Sequence, residues 1–258
     1  MNTLKEIYLY REMIISLVRK GLRGRYKGSV LGFLWTFINP LLQLIVYTLV
    51  FSNIMRVGIE KFYLFLFVAL VPWMFFNAAI TGGAVSVVSE GNLIQKVYFP
   101  RQILPISYVT TAFVNMLLSF VIVFIALIVG GIGINVKALL FLPIIMIVEY
   151  VLALGIAMLT SALTVYFRDL EYILGIVSMA WMYLTPVMYN VDMVPEKYAK
   201  LFYFNPMTPV IIAYRDILYY KQIPQLITLL QAFVLGTIVL LIGSIVFHNL
   251  QKHFVEEL

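Results

Sequence analysis

The sequence predicts an all-α membrane protein with six transmembrane helices, and two observations predict it. Of the 258 residues, 63% are hydrophobic and 12% charged, with a mean hydropathy of +0.99. A water-soluble domain of that size cannot hide so much apolar surface. The apolar residues are also gathered into runs of about 20 or more, the length a helix needs to cross the hydrocarbon.

Before the first run, residues 3–20 carry the period of an amphipathic helix. Leu4, Ile7, Tyr8, Ile14, Ile15 and Val18 share one face, and Lys5, Glu12, Ser16 and Arg19 another. Arg11 falls inside the apolar face, where it has to snorkel. Such a helix suits the membrane interface; a helix packed on a soluble partner is the alternative. The first segment does not have the form of a signal peptide, because about thirty mostly non-membrane residues precede the first apolar run.

The runs themselves are residues 31–55, 62–88, 105–131, 138–165, 170–190 and 226–247. Short polar connections separate them at Arg56–Lys61, Glu90–Arg101, Ile132–Lys137 and Phe167–Glu171. The stretch Asn190–Gln225 holds Pro195, Pro206, Pro209 and Pro224, is too polar and broken to span, and fits two short helices dipping into the interface. The chain therefore divides into an interface segment (1–30), a six-helix bundle (31–247) and a tail (248–258).

Six spans place both termini on one side. Residues 1–30 hold seven Lys/Arg (Lys5, Arg11, Arg19, Lys20, Arg23, Arg25, Lys27) against two Glu, which makes that side cytoplasmic. The same block suits an anionic membrane surface rather than nucleic acid.

Several chemistries are excluded or weakened. The absence of cysteine removes disulfides, thiol catalysis and zinc–thiolate sites. His248 and His253 are too few for a metal centre, so no metal site is expected. The segment Gly24-Arg25-Tyr26-Lys27-Gly28-Ser29 has the composition of a phosphate loop, but not the Gly-Lys-Ser/Thr order or the preceding strand. No catalytic site is expected in this chain.

Glu149 is the one acid well inside a predicted run, and an intramembrane carboxylate is a functional candidate by default. It either lines a polar path or is satisfied in packing by Tyr or Asn side chains. Aromatics are abundant, with 17 Tyr, 19 Phe and 3 Trp. Clusters at Trp73–Asn77, Trp181–Tyr183 and Tyr198–Phe204 are either interfacial belts or the lining of a path for sugars, whose C–H faces stack on aromatic rings. Two connections, Asn92–Arg101 and Phe167–Asp169, are short and rigid enough to transmit force from a soluble partner, or are plain loops.

Four stretches together resemble the permease subunits of type-2 ATP-binding-cassette exporters of polysaccharides and polyol phosphates, the O-antigen and teichoic acid exporters. They are Arg25-Tyr-Lys-Gly-Ser-Val-Leu-Gly-Phe-Leu-Trp35 running into Asn39-Pro40-Leu41; Leu93-Ile-Gln-Lys-Val-Tyr-Phe-Pro-Arg-Gln-Ile-Leu-Pro105; Tyr166-Phe-Arg-Asp-Leu170; and Asn205-Pro206-Met207 with Tyr214-Arg215-Asp216. The resemblance implies a homodimer of this chain in the bacterial cytoplasmic membrane, docked on two copies of a separate ATPase subunit that binds ATP and Mg. It implies a lipid-linked polysaccharide substrate carried on undecaprenyl diphosphate. Under it, Lys96, Val97, Tyr98, Phe99, Pro100 and Arg101, with Phe167, Arg168 and Asp169, contact the ATPase. Lys20, Arg23, Arg25 and Lys27 would meet the diphosphate. Trp73, Phe76, Asn77, Glu149, Tyr183 and Tyr189 would line the path, and Tyr198, Phe202, Tyr203 and Arg215 would belong to external gate helices. An exporter of lipids or drugs is the nearest alternative, followed by a membrane glycosyltransferase and a structural scaffold.

Overall fold

The structure is a computed structural model, and it describes residues 3–24, 27–54 and 58–258. Arg25, one of the cations expected to meet the diphosphate, and Arg56, at the start of the first connection, lie outside the described residues. Among the described residues the secondary structure is helical throughout, with no strand.

Thirteen α-helices follow one another among those residues. The N-terminal pair is α1 (Thr3–Leu9) and α2 (Arg11–Gly24), and the first apolar run gives α3 (Trp35–Thr48). Next come α4 (Phe62–Ala84), the short α5 (Gly91–Lys96) and α6 (Ile103–Val129). They are followed by α7 (Val136–Leu139), α8 (Leu142–Tyr166) and α9 (Leu170–Tyr183). The last four are α10 (Glu196–Phe204), α11 (Met207–Leu218), α12 (Leu226–Leu250) and α13 (Phe254–Glu257).

Five helical segments are long and apolar enough to cross a membrane: Gly32–Ser52, Phe62–Ala84, Ile103–Val129, Val136–Tyr166 and Leu226–Glu257. The fifth predicted run is different. Its helix α9 has 14 residues, about 21 Å at 1.5 Å per residue, against a hydrocarbon core of about 30 Å. Pro186 and the turns at 184–189 end it early.

The N-terminal segment is also not one helix: it breaks at Tyr10 into α1 and α2. Arg11 does not lie within a buried face; it is exposed, with its guanidinium 4.7 Å above the Tyr8 ring and 3.8 Å from Glu12. Met13, Ile14 and Leu17 make the packed side of α2, while Ile15 is exposed.

The centre of the bundle is α4. Up to Phe76 its sequence is apolar on every side, the pattern of a helix surrounded by protein rather than lying at a surface. In its most apolar stretch 78% of residues are buried, against 17% for the α3 and α12 spans, whose outer faces remain open to lipid or to another chain. Both α3 and α4 contain a proline, Pro40 and Pro72, that removes a backbone donor. The first span is correspondingly irregular: a 3₁₀ turn at Gly32–Leu34 leads into α3, and a π turn at Leu49–Ile54 follows it.

The closest helix pair is α8 with α12, and glycine makes it possible. A Cβ on Gly155 would lie 2.5 Å from the Leu240 nitrogen and 2.6 Å from its Cα. Gly243 presses on the Gly155 carbonyl in the same way, and Gly236, two turns earlier, faces Leu152. Lipid tails are as apolar as leucine, so such close backbone approach is what drives helix pairing in a bilayer. We expect Gly155→Ala to lower stability by about 2 kcal/mol through overpacking. Gly175→Ala, whose added carbon has nothing within 4 Å, should leave the thermal midpoint in detergent unchanged.

Candidate functional site

Polar side chains recur every fourth residue on three of these helices, and the fold brings two of the ladders and half of the third together, Ser107 and Thr111 facing the α2–α6 side instead. On α3 they are Asn39, Gln43 and Tyr47; on α4 Trp73, Asn77 and Thr81; on α6 Ser107, Thr111, Asn115 and Ser119. Four-residue spacing places each set along one helix face. The α3 and α4 ladders face each other across a cavity of about 610 Å³, which Ser178 and Met182 of α9 and Tyr108 of α6 complete. A second cavity of about 260 Å³ shares Asn39, Met74 and Ala78 with it and adds Asn115 and Ser119.

The hydroxyls tolerate the apolar surroundings by bonding back along their own helices. Thr81 donates to the Asn77 carbonyl at 2.9 Å, Thr111 to Ser107 at 2.7 Å, Ser119 to Asn115 at 2.9 Å and Ser178 to Gly175 at 2.9 Å. Gln43 donates to the Asn39 side chain at 3.3 Å. What remains toward the groove is a wall of hydroxyl lone pairs and amide groups flanked by the Trp73 and Tyr47 rings. Such a wall suits a ligand rich in hydroxyls.

Of the path residues taken from the sequence, Trp73 and Asn77 line this groove. Phe76 does not: it is fully buried, edge-on to Trp181 at 5.2 Å between ring centres. Tyr183 is exposed, and its carbonyl accepts a 2.7 Å hydrogen bond from the Tyr189 hydroxyl. Glu149 sits away from the groove, with no solvent exposure, and accepts a 2.6 Å hydrogen bond from Tyr214 of α11. Asn39, Gln43, Thr81, Tyr108 and Ser178 were not singled out as path residues from the sequence. Their four-residue ladders are the signal that could have found most of them.

A second constellation joins α9 to α11. Asn205 uses its whole amide: its oxygen accepts from the Trp181 indole at 2.9 Å and the Met207 backbone at 3.0 Å, and its nitrogen donates to the Leu184 carbonyl at 3.0 Å and the Thr185 hydroxyl at 2.9 Å. Arg215 is 3% exposed and donates to the carbonyls of Tyr189 at 3.0 Å and Val187 at 2.6 Å, with Phe65 3.6 Å beneath its guanidinium. Arg215 is therefore a strut that satisfies the carbonyls of the 184–190 turns. Tyr219 donates to the Glu60 carbonyl; burial first, then Tyr220 and Glu60, push its phenol upward, so it stays a protonated donor. In contrast, α10 carries exposed Tyr198 and Tyr203, and Phe202 meets Tyr189 at 6.2 Å between ring centres.

The third constellation closes one end of the bundle. An apolar cluster of Phe99, Ile103, Val165, Phe247 and Phe254 is packed there against Met13, Ile14 and Leu17 of α2. Val97 and Tyr98 project outward beside Lys96, with Tyr98 87% exposed, whereas Phe99 is buried. Phe167, Arg168 and Asp169 are exposed where α8 turns into α9. Of the four cations near the first span, Lys20 is held by Glu90 at 2.6 Å, Arg23 and Lys27 are exposed, and Arg25 is outside the described residues. Lys20 and Glu90 also border a cavity of about 430 Å³ between α2 and α6.

Asn205→Ala should cost about 3 kcal/mol or less, because it strands the Trp181 indole and the Leu184 carbonyl together. Its thermal midpoint in detergent should fall well below that of Tyr198→Ala on exposed α10.

The sequence model of the family described as ABC-2 type transporter matches residues 12–219. Among curated relatives, the O-antigen export system permease protein RfbA of Myxococcus xanthus is 34% identical over 256 residues, covering 98% of each chain. Two proteins of the same description from Klebsiella pneumoniae are 32% and 31% identical over 254 residues, covering 96% of this chain and 95% of theirs. With the family's match running through most of the helical bundle, the chain belongs to the ABC-2 type transporter family.

Proposed function

We propose that this chain is the membrane permease of an ATP-driven exporter that moves a lipid-linked surface polysaccharide of the O-antigen type out of the bacterial cytoplasm. The observation that carries the reading is the polar, partly aromatic groove between α3, α4 and α9, set inside otherwise apolar spans. Its hydroxyl and amide lining can exchange hydrogen bonds with successive sugars without fixing one of them, and the half-buried Tyr47 ring offers a flat face for the C–H side of a sugar, while Trp73, 3% exposed, helps form the wall. Three relatives that match almost end to end are O-antigen export permeases, which favours this substrate class over teichoic acid, lipids or drugs.

ATP and magnesium belong to a separate ATP-binding subunit in this reading, as the family implies. Two permease copies pair with two such subunits, the open outer face of α3 being available for the pairing. α9 with residues 184–190 completes a sixth span, and both termini lie in the cytoplasm together with Tyr98 and Phe167. On the opposite side α10 and α11 shape the exit. The exposed Arg23 and Lys27, with Arg25, meet the lipid diphosphate as the glycan loads. Lys20 joins them only by leaving Glu90, because one ammonium at 2.6 Å from a carboxylate is already engaged.

The transmission surface is narrower than the contiguous segment Lys96–Arg101. Phe99 anchors the loop in the end cluster, so its removal damages folding; Tyr98 and Val97 point away from the bundle and are free to meet a partner.

In cells lacking the chromosomal copy, the wild-type chain should restore surface polysaccharide. Asn77→Leu and Gln43→Leu should reach the membrane in normal amounts yet lower export about tenfold, the worth of one good hydrogen bond to the moving glycan. Wild-type export by both would contradict the groove as the path. Tyr98→Ala should co-purify with the ATP-binding subunit while surface polysaccharide falls, measured by antibody labelling of intact cells; unchanged labelling would remove Tyr98 from the transmission surface.

A further inference from the structure

The segment after α12 is folded back under the bundle, and its contacts converge on the two loops that face away from it. Phe254 is fully buried, 5.4 Å from the Phe247 ring centre and 6.3 Å from that of Tyr166. Tyr166 is the residue before the exposed Phe167 turn, and its hydroxyl donates to the Leu250 carbonyl at 2.9 Å. On the other side, Arg101, the last residue of the Tyr98 loop, donates to the Gln251 carbonyl. Leu258 lies over Gly91, the first residue of α5: a Cβ built there comes 3.7 Å from Leu258 Cδ2 and 3.8 Å from its Cβ. Val255 borders a small cavity with Gln95, Lys96 and Tyr98.

The two loops are about seventy residues apart in sequence and have no covalent reason to move together. We propose that residues 251–258 clamp the Tyr98 loop and the Phe167 turn into one rigid platform for the ATP-binding subunit, with Phe254 as the positioning residue. The inference rests on the transport reading above. The physical argument is that a push delivered to Tyr98 does work on the spans only if the loop cannot yield. Phe254 wedged between Phe247 and Tyr166 ties the loop's support to the ends of α8 and α12, the closest pair in the bundle. Arg101 carries the load from the loop to the segment through the Gln251 carbonyl. The partner-facing side chains stay outside this packing, so the segment stiffens the surface without supplying the contact.

The test uses the permease co-purified with its ATP-binding subunit and reconstituted in vesicles. Phe254→Ala is expected to keep complex formation and ATP hydrolysis while glycan exported per ATP falls about tenfold, a coupling loss of ordinary size. Phe254→Tyr should restore the ratio. Because truncating a buried ring also loosens the fold, a second variant separates stiffness from stability. The chain has no native cysteine, and the Gly91–Leu258 carbon separation suits a disulfide. Adding Gly91→Cys and Leu258→Cys to Phe254→Ala should restore coupling when oxidised and lose it again on reduction. Wild-type coupling in Phe254→Ala, or an oxidised bridge that forms without restoring it, would overturn the clamp. A wild-type complex that hydrolyses ATP without moving glycan would instead defeat the transport reading, with disulfide formation still reporting on the segment's position.

Discussion

A polar side chain carried into hydrocarbon has to be satisfied within the protein or face a water-filled groove, and this rule sorts nearly every polar group of the bundle. Asn205 has both amide atoms fully partnered. Arg215 gives its terminal nitrogens to two carbonyls, and Glu149 takes the Tyr214 hydroxyl, although Arg215 Nε and Glu149 Oε1 stay buried without a partner. These groups hold α11 to α4, α8 and the end of α9, and they make that part of the molecule a fixed scaffold. Gln43, Asn77 and Thr81 sit instead on the wall of a cavity, where an incoming hydroxyl can replace water. The same rule therefore separates polar residues that build the fold from those available to a substrate.

Mechanical roles divide along similar lines. The α8–α12 pair, locked by Gly155 and Gly243, runs from the end closed by Phe247 and Phe254 to the far end of the bundle and is its most closely packed element. Around it, α3 and α9 pack less extensively, border the groove and leave their outer faces open. In the proposed mechanism, movement driven from the Tyr98 end is delivered to this rigid axis and expressed in the peripheral helices that border the groove.

Much of this was legible in the sequence, because hydropathy depends on local composition. The second, third, fourth and sixth runs match helices to within a few residues, and the broken stretch 190–225 does form two short helices. The fifth run is helical only over Leu170–Tyr183, since its apolar composition continues through Thr185 and Pro186 while the backbone turns. The single N-terminal helix failed at Tyr10, where the periodic pattern carries no sign of the break. The role of Glu149 stayed open from sequence because Tyr214 lies 65 residues away, a pairing no local pattern encodes. Phe99 and Tyr98 illustrate the same limit: adjacent aromatics in one motif, one buried and one projecting. The groove was the recoverable part, since its ladders repeat every four residues in plain view.

The central claim is that this chain supplies a glycan path and a separate subunit supplies the energy. It is tested most directly by following a radiolabelled lipid-linked O-polysaccharide across vesicles that contain the purified permease with its ATP-binding subunit. The account predicts transfer with ATP and no transfer with a non-hydrolysable analogue. Transfer at the same rate by vesicles holding this chain alone, or ATP hydrolysis that never moves the glycan, would contradict it.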